Sequence, residues 1–512
     1  MATQWQTFPI EFRGGLISNL SPLQQGTNAV GSATILQNFE TAKEGGYSKV
    51  KGFGKYSDTV VTGSGPILAL KIVSSDKAVV ARRNATDVTE YYYGSGSSWT
   101  SLSALPLLGG KVRHVSHSIA GTEKTLFVDG VNYPVEFDSS DNSLTTLNSS
   151  TDILAVAHVA VFKGTAFYAK DNVVYFSAPL SVGDFDVANG AGFINVGSDV
   201  TGLIVFRDQL IIFTQNSIKR ITGTTAADFT VTPITDRIGC INGDTIQEVG
   251  GDIMYLAPDG IRLLSATDRI GDFGLDIASD PIAKDTFNFL NSTTNYSSVL
   301  LREKAQYRIF AYVESEQSNV AKGLIATKFV SQGASGISWS TTSGIKSFIT
   351  DSTYTGNTET ILFANTDGYV YQMETGSTFD GSPIEAIYES PYMPISDPQV
   401  RKTLYKMTLY AEPTGSMELD VNIKYDFDIK TGNGIIQPPT DVIASTGSSI
   451  FLYGNTASVF GTATYGGQLD NVYNLNLVGS GKTIAIRIED NSTNPTFTLD
   501  TALLEFRQND RQ

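Results

Sequence analysis

Between about Ile67 and Met373 the chain repeats one small unit: an apolar alternating run, a tight polar turn and a second alternating run. The cleanest copy is residues 361–373, where Asp367-Gly368 is a two-residue hairpin turn between strands of period two. Residues 253–264 turn in the same way at Asp259-Gly260, residues 210–221 at Gln215-Asn216, and residues 166–176 at Asp171-Asn172. Weaker copies turn at Asp129-Gly130 and around Asn84. The turns fall at 84, 129, 171, 215, 259 and 367, so the steps are 45, 42, 44, 44 and 108. The last gap is two steps of 54, and the apolar run 307–313, followed by the polar run from Glu314 to Asn319, lies near its middle.

A hairpin period near forty to fifty residues is that of four-stranded propeller blades, whose sheets bury both faces only by stacking on one another around an axis. Unrelated meanders in a β-sandwich would also give frequent turns, but not four nearly equal successive steps. The pattern therefore predicts an all-β protein with a β-propeller-like ring of about six to eight hairpin-built blades, seven by this count. Neither a tryptophan-aspartate mark nor a kelch-type glycine pair repeats, so no common propeller subfamily is signalled.

The flanks follow other patterns. In residues 1–55, Phe8, Ile10, Phe12 and Leu16 lead into Gly14, Gly15, Ser21-Pro22, Gly26, Gly31, Gly45 and Gly46, which reads as an extended arm that needs another sheet to bury against. Residues 56–381 hold the repeats. From 382 to 512 the strands lengthen: Met417, Leu419, Val421, Ile423 and Tyr425 face one way, and Glu418, Asp420, Asn422 and Lys424 the other. Residues 483–488 and 496–499 continue this pattern, and Pro438-Pro439 separates early strands from late ones, so a C-terminal β-sandwich is predicted. One helix is expected within the repeats, with Ser279-Asp280-Pro281 as its cap and first turn and Ile282, Ala283, Phe287 and Leu290 at helical spacing.

Composition narrows the function classes. The 512 residues exceed one ordinary core and imply two or three domains. One cysteine, Cys240, excludes an internal disulfide, and with three histidines it cannot build repeated zinc modules. No run is long enough to span a membrane, and the first residues lack a secretion signal, so synthesis in a cytoplasm is expected. The formal charge of −16 argues against tight wrapping of nucleic acid, yet suits a surface past which DNA slides.

No motif signals catalysis, a cofactor or a metal, and the chain is read as no enzyme. His114 and His117 stand three apart on a strand and so face opposite sides; they are read as ordinary histidines, as is His158. Residues 235–239 recur as 267–271 at an offset of 32, off the blade step. Residues 479–483, Gly-Ser-Gly-Lys-Thr, lack the first glycine of a phosphate loop, since Asn476 stands there, and an alternating strand follows instead of a helix. A propeller hydrolase would need paired carboxylates at blade starts, whereas Asp129, Asp184, Asp186, Asp259 and Asp367 are mostly turn residues.

Several short motifs are similar to those of the tail nozzle proteins of short-tailed bacteriophages, also called tail tubular protein B or tail hub. Gly14-Gly15-Leu16, Ser21-Pro22-Leu23, Asn38 and residues 46–53 resemble the family's opening, with Lys51 where an arginine is usual. Residues 203–264, residues 379–387 and residues 479–484 resemble its middle, its last-domain entry and a late strand start; Phe451 and Phe460 stand where the family often has tryptophans. The resemblance implies a structural protein of the virion tail. It would form a six-fold homo-oligomeric ring under the head-to-tail adaptor protein, meet a tail fibre or tailspike, and pass DNA at ejection without reading its sequence. A glycan-binding or glycan-degrading propeller is the alternative.

Overall fold

The computed structural model describes residues 5–43, 45–94, 97–265, 277–313, 322–331, 334–428, 441–445 and 471–509. The turn at Glu314, the 267–271 repeat, Pro438-Pro439, Phe451 and Phe460 lie outside them.

The repeat is a six-blade β-propeller. Blades one to four are four-stranded antiparallel sheets spanning residues 64–104, 113–146, 158–195 and 200–235, and blade five, 247–263, is three-stranded. Blade six joins residues 349–373 to the strand Phe53–Lys55, so part of the stretch read as the arm supplies its outermost strand. Between blades five and six the ring is completed by a four-stranded meander, residues 295–342, which runs on into a nine-stranded sheet.

Alternation explains why the blades stack. In blade three, Phe167, Ala169, Val174 and Phe176 face Leu210 and Ile212 of blade four, while Ala166 and Tyr168 face Leu126 and Val128 of blade two. Both faces are apolar, so the strand reads as an almost unbroken apolar run. The ring closes where Leu362 and Ala364 of blade six meet Ile67, Leu70 and Val80 of blade one. As predicted, the turns at Asn84, Asp129, Asp171, Gln215, Asp259 and Asp367 all join the second strand of a sheet to its third. Glu314 follows the meander's second strand, Gln306–Tyr312.

A C-terminal sandwich is present, but both chain ends build it. Its seven-stranded sheet takes Gln6–Glu11, Phe39–Thr41 and Tyr47–Lys49 from the arm and pairs them with one another and with Phe497–Gln508. Ile35–Gln37 lies in the nine-stranded sheet between the meander and Ala386–Glu389. Ile10, Phe12, Leu16, Leu36, Phe39 and Tyr47 are buried in the same core as Met417, Leu419, Val421, Ile423 and Tyr425. We call this two-sheet unit the platform.

The arm is not wholly extended, because Pro22–Asn28 is a helix. Ser21 and Gln24 form a capping box at its start, a signal present in the sequence as Ser-x-x-Gln. The expected second helix exists at Ala283–Leu290 after a short 3-10 turn, yet Ser279 does not cap it; its hydroxyl accepts the Ile261 N–H at 3.0 Å. Ile282 and Phe289 are buried, whereas Phe287 is exposed, because five residues beyond Ile282 lies well off that helix face.

Candidate functional site

Each blade lays its first strand along the pseudo-axis, so polar side chains on these strands converge. Asp244 sits in the turn entering blade five and takes the Arg113 guanidinium as a fork, with Nε to Oδ1 at 2.7 Å and Nη2 to Oδ2 at 3.2 Å. Lys111 Nζ lies 3.2 Å from Asp244 Oδ2 and donates to the Tyr296 carbonyl at 2.7 Å. Asp351 of blade six accepts the Ile72 N–H at 2.7 Å and lies 3.8 Å from Lys71 Nζ and 3.7 Å from His114 Nε2. The Ser298 hydroxyl donates to the Asp244 carbonyl at 2.7 Å, and Thr350 donates to the Ser298 carbonyl at 2.6 Å. Blades one, two, five and six and the meander are thereby tied together across the axis by a mostly buried ionic plug.

Burial sets the protonation of this plug. His158 is pushed down to about 3 by burial and then by the Arg113 charge. Burial pushes His114 down to about 4 against the attraction of Asp351. Burial would raise the Asp244 carboxyl, but Lys111 and Arg113 outweigh it and hold it at about 2. At neutral pH both imidazoles of the plug are therefore neutral and the Asp244 carboxyl is ionised.

Both histidines titrate below the ordinary 6.5, so below that pH the unfolded chain binds more protons than the folded one. Their contribution to stability is full above about pH 6.5 and shrinks as pH falls toward 4. We expect urea midpoints to fall steadily over that window, and the slope to flatten in a His114→Gln/His158→Asn double variant. An unchanged slope would contradict this assignment.

The other residues singled out in the sequence do not join this cluster. His117 lies 3.2 Å from Glu136 and apart from His114. Asp129 accepts the N–H groups of Val131 and Asn132, Asp184 that of Asp186, and Asp186 that of Ala188. Asp259 pairs with Arg262 at 2.6 Å, and Asp367 accepts the Tyr369 N–H and the Tyr371 hydroxyl. These are turn roles, as their sequence setting indicated. In the Gly479–Thr483 stretch, Asp426 Oδ1 accepts the N–H groups of Lys482 and Thr483, which places a carboxylate where a phosphate loop would hold its anion. Cys240 is buried, and burial pushes its thiol up to about 12. Among the described residues no group of three His, Cys, Asp or Glu is placed to hold a metal ion, and no helix is long and apolar enough to cross a membrane.

Sequence reasoning missed Lys111, Arg113, Asp244 and Asp351. The usable signal was position: a charged residue at the head of a blade's first strand points to the axis, whatever its motif.

A second buried cluster joins the domains. Arg308 of the meander donates to Glu40 of the arm and lies 2.8 Å from Glu374, which follows blade six. Lys304 contacts both carboxylates, and Gln306 Oε1 accepts from Arg308 at 3.0 Å. Inside the platform, Lys49 and Asp490 form a fully buried pair at 2.8 Å.

No family model matches the chain, and no curated protein matches it. Among solved structures it is similar to a chain described as the extracellular domain of a one component system from B. thetaiotaomicron. The identity is 10%, the TM-score is 0.36, and the match covers 77% of this chain and 48% of the other, so this chain spans about half the length of that neighbour.

Proposed function

We propose that this chain is the ring-forming structural subunit of a phage tail nozzle, continuing a DNA conduit below the head-to-tail adaptor. The observation that carries this reading is where the resembling motif residues lie: they make joints and not a reactive site. Gly15, at positive φ, lies so close to Trp339 that a β-carbon would come within 2.9 Å of its backbone nitrogen, and its N–H donates to the Tyr47 hydroxyl. Asn38 binds the Glu385 carbonyl and accepts from Thr342 and Ser343, fastening arm, meander and platform entry together. Phe379 stacks on Phe53 of the closing strand, and Gly479 lies against Tyr425.

The axial plug bears on the same reading. A propeller closed by ion pairs is a rigid bracket, so we place the conduit between subunits, beside their platforms. A glycan-degrading propeller would need a free carboxylate pair, whereas Asp244 and Asp351 are engaged by cations and backbone donors; we expect no glycan turnover. The outer face of the nine-stranded sheet offers a fitting wall, with Glu418, Asp420 and Glu489 on it and Glu389 shared between Lys424 and Arg487. Such a wall gives moving phosphates little to grip.

Electron microscopy of the purified protein tests the reading. Six-fold rings with an axial hole, and weak duplex DNA binding at physiological salt, are the expected results. Particles that stay monomeric at every concentration, or rings that bind DNA tightly, would overturn it.

A further inference from the structure

Among the described residues the N-terminal strand, Gln6–Glu11, pairs with a single partner, the C-terminal strand Phe497–Gln508. That partner is bound along one edge to Lys402–Pro413. Along its other edge Tyr47–Lys49 covers only Thr498 and Leu499, and Gln6–Glu11 covers the stretch from Thr501 to Phe506. If Gln6–Glu11 left, that stretch would show a row of unpaired backbone donors and acceptors, an edge that another strand must cover.

The covering strand is lightly held by its own copy. Ile10 is its buried side chain and Phe8 is half-buried, whereas Gln6, Thr7, Pro9 and Glu11 are exposed. Pro9 brings no N–H to the ladder, which suits an edge position. Behind the strand and the buried Phe12 stand Gly14 and Gly15, both left-handed, at φ 95° and 69°. From Gly15 onward the chain is fixed: its N–H donates to the Tyr47 hydroxyl at 2.9 Å, and the Leu16 N–H to the Trp339 carbonyl at 2.7 Å. Gly14 has room, since a β-carbon there would meet nothing nearer than the Ser32 β-carbon at 3.4 Å. A terminal strand, a glycine hinge and a fixed root are thus joined in that order.

We propose that in the assembled subunit ring Gln6–Glu11 crosses to the neighbouring copy and pairs with that copy's Phe497–Gln508. The register is the one the single chain shows, Gln6 opposite Phe506 and Glu11 opposite Thr501, so the fit of this occupant is given by the ladder itself. Every contact of the closed monomer is remade between copies; beyond association itself, the exchange costs only the rearrangement at the hinge. Donor strand and receiving edge are different elements of one chain, so the exchange runs head-to-tail and repeats until it closes. This rests on the ring reading, with platforms side by side, and assigns the junction between them.

Co-expression of a Thr7→Cys chain with a Glu505→Cys chain tests it, because these two positions are opposite one another in the ladder and the native thiol, Cys240, is buried. Thr7 is exposed and Glu505 half-buried, so circular dichroism should match the wild type. After treatment with a short thiol-to-thiol cross-linker and denaturation, the mixed rings should yield a two-chain species holding one chain of each kind. The Thr7→Cys/Glu505→Cys double variant should give a ladder that reaches the full ring. Mixed rings without the two-chain species, or double-variant rings that give only single chains linked within themselves, would overturn the exchange while leaving the ring reading standing. A wild-type chain that is monomeric at every concentration would overturn both.

Discussion

Removing residues 1–50 is expected to abolish folding of the platform while the propeller survives. The arm contributes three of the seven strands in one platform sheet and inserts Ile35–Gln37 into the other. Its buried side chains, Ile10, Phe12, Leu16, Leu36, Phe39 and Tyr47, at about 1.5–3 kcal/mol each, amount to roughly 10–15 kcal/mol of apolar burial. That equals the whole stability of a typical domain. Asp490 would also lose Lys49, so a platform that did fold would have to bury this carboxyl without its partner. The closing strand Phe53–Lys55 is retained, so blade six stays complete. The truncated chain should bind a hydrophobic dye, lose the C-terminal region to brief proteolysis and yield a resistant fragment beginning near residue 53. A truncated chain with unchanged dye binding and melting temperature would show the arm to be dispensable. The sequence pattern could not distinguish these roles, because an arm that lies on a sheet and one that supplies its strands have the same hydrophobic pattern.

Replacing Arg308 by methionine should cost about 3–5 kcal/mol, because two buried carboxylates would then share the single ammonium of Lys304. The size comes from desolvation: the attraction lost is modest beside the penalty of leaving Glu40 and Glu374 charged and poorly paired in the interior. Burial alone would raise the Glu374 carboxyl, but Arg308 and then Lys304 hold it below its ordinary 4.5. It therefore stabilises the fold fully above about pH 4.5, and that contribution disappears as pH falls through its lowered folded value. Urea denaturation at pH 7 measures the cost directly. Adding Glu40→Gln and Glu374→Gln to the variant should recover much of the loss, since the uncompensated charges go with them. A loss below about 1 kcal/mol in the single variant would mean that water reaches the cluster and screens it.

Legibility followed the range of the interactions. Period two in residues 361–373 and its copies depends only on neighbouring residues, and it placed the blades, because every strand must offer apolar side chains to two adjacent sheets. The turn acids could be discounted as catalysts for the same reason: Asp129 and Asp367 bind backbone groups within three residues of themselves. The 417–425 alternation likewise identified a half-buried strand before any partner was known.

Closure was decided only in three dimensions. That Phe53–Lys55 completes blade six, that the meander belongs to ring and platform at once, and that Asp244 meets Arg113 are pairings over 131 residues or more. A local pattern carries no address for them. Burial of a charge is likewise decided by the whole fold: Lys49, Glu40 and Arg308 look in sequence like ordinary surface residues, and become the locks of the molecule because three separate segments converge and exclude water around them.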